Sequence, residues 1–327
     1  MTYRQGIHLL ASFLAGYVVL LITAGGLVKS LEAGLSVPDW PLSYGTLNPP
    51  RWWDIETVRA EHGHRLIAGA ALIMTMSLVV WIARREPRRW VRRLAYVALG
   101  SVLVQAALGG ITVLFFLPKP ISVAHAGLAQ LFLCMVVALA VVTSRQWLEG
   151  KSFAASDTVD RTLLVLATAT TCAIYIQILV GAVMRHAGAG LAIPDFPWVF
   201  GGLVPPSVDF AIGIHYTHRI GALVVTLLVV TALLRLLTHT NRSASMLIPA
   251  VSMMAIVSAQ ATLGALVILT GKAVLPNTLH VGTGALLLAV SVVLTLVNWR
   301  TEWLSSRVRV ATAPSMIEGL EPEREAL

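Results

Sequence analysis

Residues 61–83 read "EHGHRLIAGAALIMTMSLVVWIA". From Leu66 to Ala83 there are 18 residues without a charge. A buried helix of a soluble protein would rarely be apolar all round for so long, whereas a bilayer crossing needs about 20 such residues. Seven more stretches share this character, so spans are expected near 7–28, 63–83, 94–117, 121–143, 162–184, 214–237, 246–270 and 276–299. In the sixth, His218, Arg219 and Arg235 bound an apolar run from Ile220 to Leu234. Over the 327 residues, 57% are hydrophobic and 12% charged, about half the charged share of a soluble domain. Lipid admits only helices or closed barrels, and these lengths are helical.

Basic residues set the expected orientation. The loop after the second span holds Arg84, Arg85, Arg88, Arg89, Arg92 and Arg93. Arg145, Lys151, Arg161, Arg242 and Arg300 fall on the same side. Both termini are thus expected in the cytoplasm of a multi-pass protein of the cell (inner) membrane. The first span is long and has no small-x-small cleavage site, so it reads as a retained helix rather than a signal peptide. The net charge of +8 flanks the spans and forms no separate basic domain, which argues against a nucleic-acid partner. Residues 301–327 read as a solvated, disordered cytoplasmic tail. The two cysteines, Cys134 and Cys172, lie in different spans and read as packing residues.

The chain repeats itself. "GLSVPDWPL" (34–42) returns as "GLAIPDFPW" (190–198). "HRLIAGA" from His64 matches "HRIGA" from His218, and "HAGLAQLFL" from His125 matches "HVGTGALLL" from His280. The expected fold is an all-α integral membrane protein of eight transmembrane helices. It forms two duplicated four-helix bundles, residues 1–150 and 151–300, related by a pseudo-twofold axis along the membrane normal. A fainter repeat places "QAALGG", "QILVGA" and "QATLGA" at Gln105, Gln177 and Gln260, with "LITAGG" at Leu21. Small residues there admit close helix packing or a flat ligand.

His64, His125, His218 and His280 begin the even-numbered spans, at one depth near the outer face. Imidazoles inside a membrane face the bundle interior and serve a function by default. Zinc prefers four nitrogen or sulfur ligands, or three and a water; each half offers two repeated histidines. Two imidazoles across a bundle suit haem, held axially from both sides. Gly69, Gly127, Gly221, Gly282 and Gly284 would leave room for the porphyrin. Arg65 and Arg219 either pair with haem propionates or snorkel to the interface. His62 and His215 stay open, and His8, His186 and His239 have no repeat partner. Glu61 precedes His64 by three residues, while His215 occupies the matching position before His218. A carboxylate beside one haem could accept a proton or steady a developing cation, or simply face headgroups. This asymmetry suggests one site for chemistry and one for electron relay.

These motifs, with "EHGHR", "HYTHR" and "AGLSVPDWPLSYG", resemble the haem A synthase family from the first span to the last. The resemblance implies oxidation of the C8 methyl of haem O to the formyl of haem A by successive hydroxylations. It implies His64 and His125 on the substrate haem, His218 and His280 on a haem b, and Glu61 as the functional acid. It further implies a farnesyltransferase (haem O synthase) as supplier and terminal oxidase assembly as destination. A homo-oligomer is compatible with this reading. Many bacterial members carry loop cysteines where this chain has Val37 and Ser43, with Ile193 and Val199 in the second loop, so no thiol step is possible here. The "PDWP" stretch reads as a rigid cap over the haem edge or an interfacial anchor. Two other readings compete: a di-haem cytochrome b that only moves electrons, and a transporter with parallel repeats. Polar groups gathered at one edge, not at the midplane, count against the transporter.

Overall fold

The computed structural model describes residues 3–150, 160–238 and 243–312, with side chains as far as 304. His239, Lys151, Arg242 and residues 313–327 lie outside it. The helices are α1 (Tyr3–Ser30), α2 (Glu56–Arg85), α3 (Arg89–Leu114), α4 (Lys119–Thr143), α5 (Arg145–Glu149), α6 (Arg161–His186), α7 (Phe210–Thr238), α8 (Ala244–Leu269) and α9 (Val274–Thr312). All except α5 are long and apolar enough to cross a bilayer, so this is a multi-pass membrane protein. Among the described residues the only extended pairings are two isolated bridges, Ser43 with Thr46 and Val199 with Gly202.

Local chemistry places the helix ends. α2 stops before Glu86-Pro87, because the residue preceding a proline is driven out of helical geometry. α4 opens with Pro120 in its first turn, where a missing N–H costs nothing. Left-handed residues terminate α3 at Phe116 and Leu117 (φ 57° and 59°) and α8 at Gly271 and Lys272 (φ 61° and 69°). Two expected boundaries move furthest. α2 begins at Glu56, so "EHGHR" sits inside the helix rather than at its mouth. α9 continues to Thr312, so the first part of the expected tail is helical. Thr301 is buried, and Arg300 lies 5.2 Å over the Trp147 ring of α5 and donates to the Trp147 carbonyl.

The spans pack as two closed rings. α1 contacts α2, α2 contacts α3, α3 contacts α4, and α4 returns to α1; α6, α7, α8 and α9 close in the same order. α4 and α9 join the rings: α9 packs on α1 and α4, and α6 on α4. More than half of the apolar window of α4 and of α9 (56%) is buried inside the protein, against at most 28% in the other spans. One core gathers Phe132, Leu133 and Val136 of α4 with Ala285 and Ala289 of α9. A second gathers Leu287, Leu288 and Leu294 of α9 with Ala167, Val229 and Met253. Lipid offers helices no hydrophobic drive to associate, so this packing and its few hydrogen bonds must hold the rings. Thr295 on α9 supplies one such bond, to the Ala167 carbonyl at 3.0 Å.

Candidate functional site

The ring order puts α2 and α4 at opposite corners of one ring, and α7 and α9 at opposite corners of the other. Neighbouring helix axes lie 8–10 Å apart, so a diagonal is roughly 11–14 Å, within reach of two inward side chains. His64 and His125 occupy one diagonal; His218 and His280 occupy the other. The rings of His218 and His280 are 6.3 Å apart between centroids and inclined at 72°.

Each histidine rests against a glycine of the preceding span. A Cβ placed on Gly25, Gly109, Gly181 or Gly264 would come within 3.1, 3.2, 2.9 and 3.3 Å of Cε1 of His64, His125, His218 and His280 respectively. These are the fifth residues of "LITAGG", "QAALGG", "QILVGA" and "QATLGA". The small-residue repeat is therefore a set of four imidazole seats. The glutamines complete it: Nε2 of Gln105, Gln177 and Gln260 donates to the carbonyls of His125, His218 and His280 at 3.0, 2.7 and 2.9 Å. Leu21 stands at the matching place on α1, so the His64 turn has no such amide.

Four of the five glycines expected to admit a porphyrin have other occupants. Gly221 faces the Gln177 amide and Gly284 the Gln260 amide. Gly282 faces Thr23, Gly127 faces Leu179, and Gly69 has open space. The first two make room for the glutamines that hold the histidine turns, a cross-helix role invisible in one strand of sequence.

The loops over the histidine ends, 31–55 and 187–209, are built alike. Asp39 accepts the Tyr44 and Gly45 amides at 2.7 Å each, and Asp195 accepts those of Phe200 and Gly201 at 2.9 and 2.8 Å. Both turn residues have positive φ in each loop (50° and 74°; 53° and 77°), the geometry of a tight primed turn. These amide bonds, those to Gly45 and Gly201 foremost, hold both carboxyls below their usual range. Trp40 of "PDWP" lies on Gly110 of α3, where a Cβ would come within 2.6 Å of the indole. The first loop thus crosses from α1 to α3, and Gly110 adjoins the His125 seat. Val37 and Ile193, at matching places in the two loops, are completely buried plugs.

Arg65 and Arg219 fasten these loops. Arg65 donates from its terminal nitrogens to the carbonyls of Val37 (2.9 Å), Asp39 (2.7 Å) and Leu42 (2.8 Å), and to Glu61 Oε1 (2.7 Å). Arg219 donates to the carbonyls of Ile193, Asp195 and Trp198. Neither arginine snorkels, and the terminal N–H groups of Arg65 are taken up by the loop and Glu61. Glu61 is only 3% exposed, which rules out a headgroup-facing role. Its Oε2 accepts the Val37 amide at 2.8 Å. His215 does the same work in the other ring: its Nδ1 accepts the Ile193 amide at 3.2 Å, and its Nε2 meets Arg219 Nε at 3.3 Å. His62 is tied to Ser43 Oγ at 2.8 Å and stacks edge-on against Trp52, so it supports the loop. His8 bonds the Ala140 carbonyl at 2.9 Å, between α1 and α4.

Arg65→Met is expected to free the first loop and leave the Glu61 charge uncompensated, costing about 3–5 kcal/mol as for other broken buried pairs. Limited chymotrypsin digestion reads this as faster cleavage after Tyr44 and Trp52, the bond after Trp40 being protected by Pro41; unchanged cleavage would show the loop is held by other contacts.

The donor set can be tested against a metal. Among the described residues, no three or more of His, Cys, Asp and Glu converge, so a closed tetrahedral site has no ligands. Two nitrogens on one iron stand about 2 Å from it, with ring centres about 1 Å further, giving centroids about 6 Å apart. The His218–His280 pair, at 6.3 Å, fits. Nδ1 of His64, His125 and His280 is buried without a hydrogen bond, an unmet polar demand at each of these imidazoles. An open groove between α1 and α2, lined by Ala24, Leu27, Ala60, Gly63 and Ile67, reaches His64 from the side.

Comparison with known proteins now adds the lineage. Residues 7–292 match the family described as COX15-CtaA, cytochrome oxidase assembly protein. The chain belongs to that family. Among COX15-CtaA relatives, the chain is 30% identical to the heme A synthase of Symbiobacterium thermophilum over 224 residues, 66% of this chain and 71% of the relative. It is 28% identical to that of Halalkalibacterium halodurans over 267 residues (80% and 87%), and 29% to that of Shouchella clausii over 263 residues (79% and 85%). The COX15-CtaA match spans both rings and all four histidines.

Proposed function

We propose that this protein is a haem A synthase, an oxidoreductase that converts the C8 methyl of haem O to the formyl of haem A by successive hydroxylations. The observation that carries the reading is the pair of opposite-corner histidine sets with a carboxylate latch at one of them only. The lineage agrees with it. In this reading residues 1–150 form the substrate half, with His64 and His125 as iron ligands, and residues 151–300 form the half that retains haem b between His218 and His280. The two rings arise by duplication about an axis along the membrane normal. The bound haem b supplies one-electron relay away from the substrate. The chain's own part is to hold each imidazole in a glycine seat, to cap the substrate half with the Trp40 loop, and to place Glu61 one helical turn from His64. Glu61 would take a proton or steady positive charge as the methyl is oxidised.

In this reading both termini lie in the cytoplasm and the histidine ends at the outer face of the cell (inner) membrane, an orientation that the arginine-rich α2–α3 connection supports. A haem O-forming farnesyltransferase supplies the substrate, and terminal oxidase assembly receives the product.

A di-haem cytochrome b is the competing reading, and one observation favours it. Glu61 and His215 accept the same loop amide in their respective rings, so the acid already has a mechanical role that requires no chemistry. Expression with a haem O source, followed by haem extraction, separates the two. Haem A is expected; haem O alone beside an intact b-type spectrum would leave the electron-transfer reading.

A further inference from the structure

Arg185 is a partly buried cation near the histidines, and the hydrogen bonds that fasten the loops do not use it. It lies on α6, one turn beyond Gly181, the seat of His218. Its NH2 donates to the Gly26 carbonyl at 2.8 Å and to Ser30 Oγ at 2.9 Å, both on α1. Thr278 of α9 donates to the same Ser30 oxygen at 3.0 Å, two residues before His280. One node thus ties α1, α6 and α9 together at the depth of the histidines. The Nε of Arg185 is buried with no acceptor. Among the described residues no carboxylate pairs with it. Lys29 and His186 lie close to the same spot, and neither supplies a negative charge.

A guanidinium withdrawn from water without a counter-ion is costly, and membrane proteins keep such groups only opposite a partner. Arg65 and Arg219 are pinned to loop carbonyls, whereas Arg185 retains an unused donor. Its planar fork matches a carboxylate.

We propose that Arg185 binds a propionate carboxylate of the porphyrin held between His218 and His280. This rests on the haem reading of that histidine pair. The same guanidinium grips α1 beside Gly25, the seat of His64, so loading the second pair also steadies the wall of the first.

The test compares wild type, Arg185→Met and Arg185→Lys, each purified from haem-replete and from haem-starved cells. Removing an unpaired buried charge should raise the melting temperature of haem-free Arg185→Met above wild type. Removing a propionate partner should lower that of the loaded protein and speed haem transfer to apomyoglobin at least about tenfold, the loss expected for a charged hydrogen bond. Arg185→Lys should recover part of the loaded stability. Equal destabilisation of both forms would make Arg185 a strut between α6 and α1 and overturn the proposal. In a His280→Ala background the effect on loaded protein should vanish; persistence would assign the carboxylate to the other pair's porphyrin. A wild-type chain that takes up no haem would sink the haem reading itself, and this shows before any variant is compared.

Discussion

Glu61→His is expected to leave folding and haem content intact while slowing haem O conversion at least about 100-fold, the lower part of the range for a lost acid–base group. The structure supplies the reason for choosing histidine. In the second ring His215 already accepts the loop amide and meets the latch arginine, so an imidazole fits this mechanical role. Glu61→Ala confounds two losses. It strands the Arg65 guanidinium and the Val37 amide, and breaking such a buried pair costs about 3–5 kcal/mol by itself. Extracted haem O and haem A, measured with melting temperature, separate these terms. Conversion within about threefold of wild type in Glu61→His, too small for an acid–base role, would assign Glu61 to the latch alone.

The second large effect concerns which half keeps a resident haem. His280→Ala should weaken b-type haem binding by more than the roughly 10–100-fold typical of removing an outer partner of a metal ligand, and so deplete the b-type absorbance per chain. His125→Ala should leave that absorbance in place and abolish conversion. The contrast is sharp because each ring has its own diagonal pair, and no described side chain near either pair offers a third donor to substitute. Gln260→Leu is the milder control, since its amide reaches only the His280 carbonyl. The opposite pattern, with His125→Ala depleting the b-type band, would exchange the roles of the two halves.

Several elements were legible before any coordinates. The eight spans follow from apolar run length, a local property, and all eight form. The four histidines stood out because repetition marks them independently of their surroundings. The pairing of Glu61 with His215 was legible too, as a difference between repeats. It was readable as an asymmetry but not as a shared latch, because the amides of Val37 and Ile193 arrive from loops more than 20 residues away. The arginine assignments show the same limit. A basic residue beside a candidate ligand suggests a propionate, yet the path of the 31–55 loop brings three carbonyls onto Arg65. Arg185 carries no mark in the sequence, because it resembles any interfacial arginine at a span end.

By itself, then, the sequence determined the membrane class, the number of spans, the repeat and the four histidines. These depend on composition and spacing along one chain. The tertiary structure decided which glycine faces which imidazole, which arginines are engaged and which is not, and what Glu61 touches. Those facts depend on the register between helices and on the path of the loops. Both are set by packing over distances that no local pattern encodes.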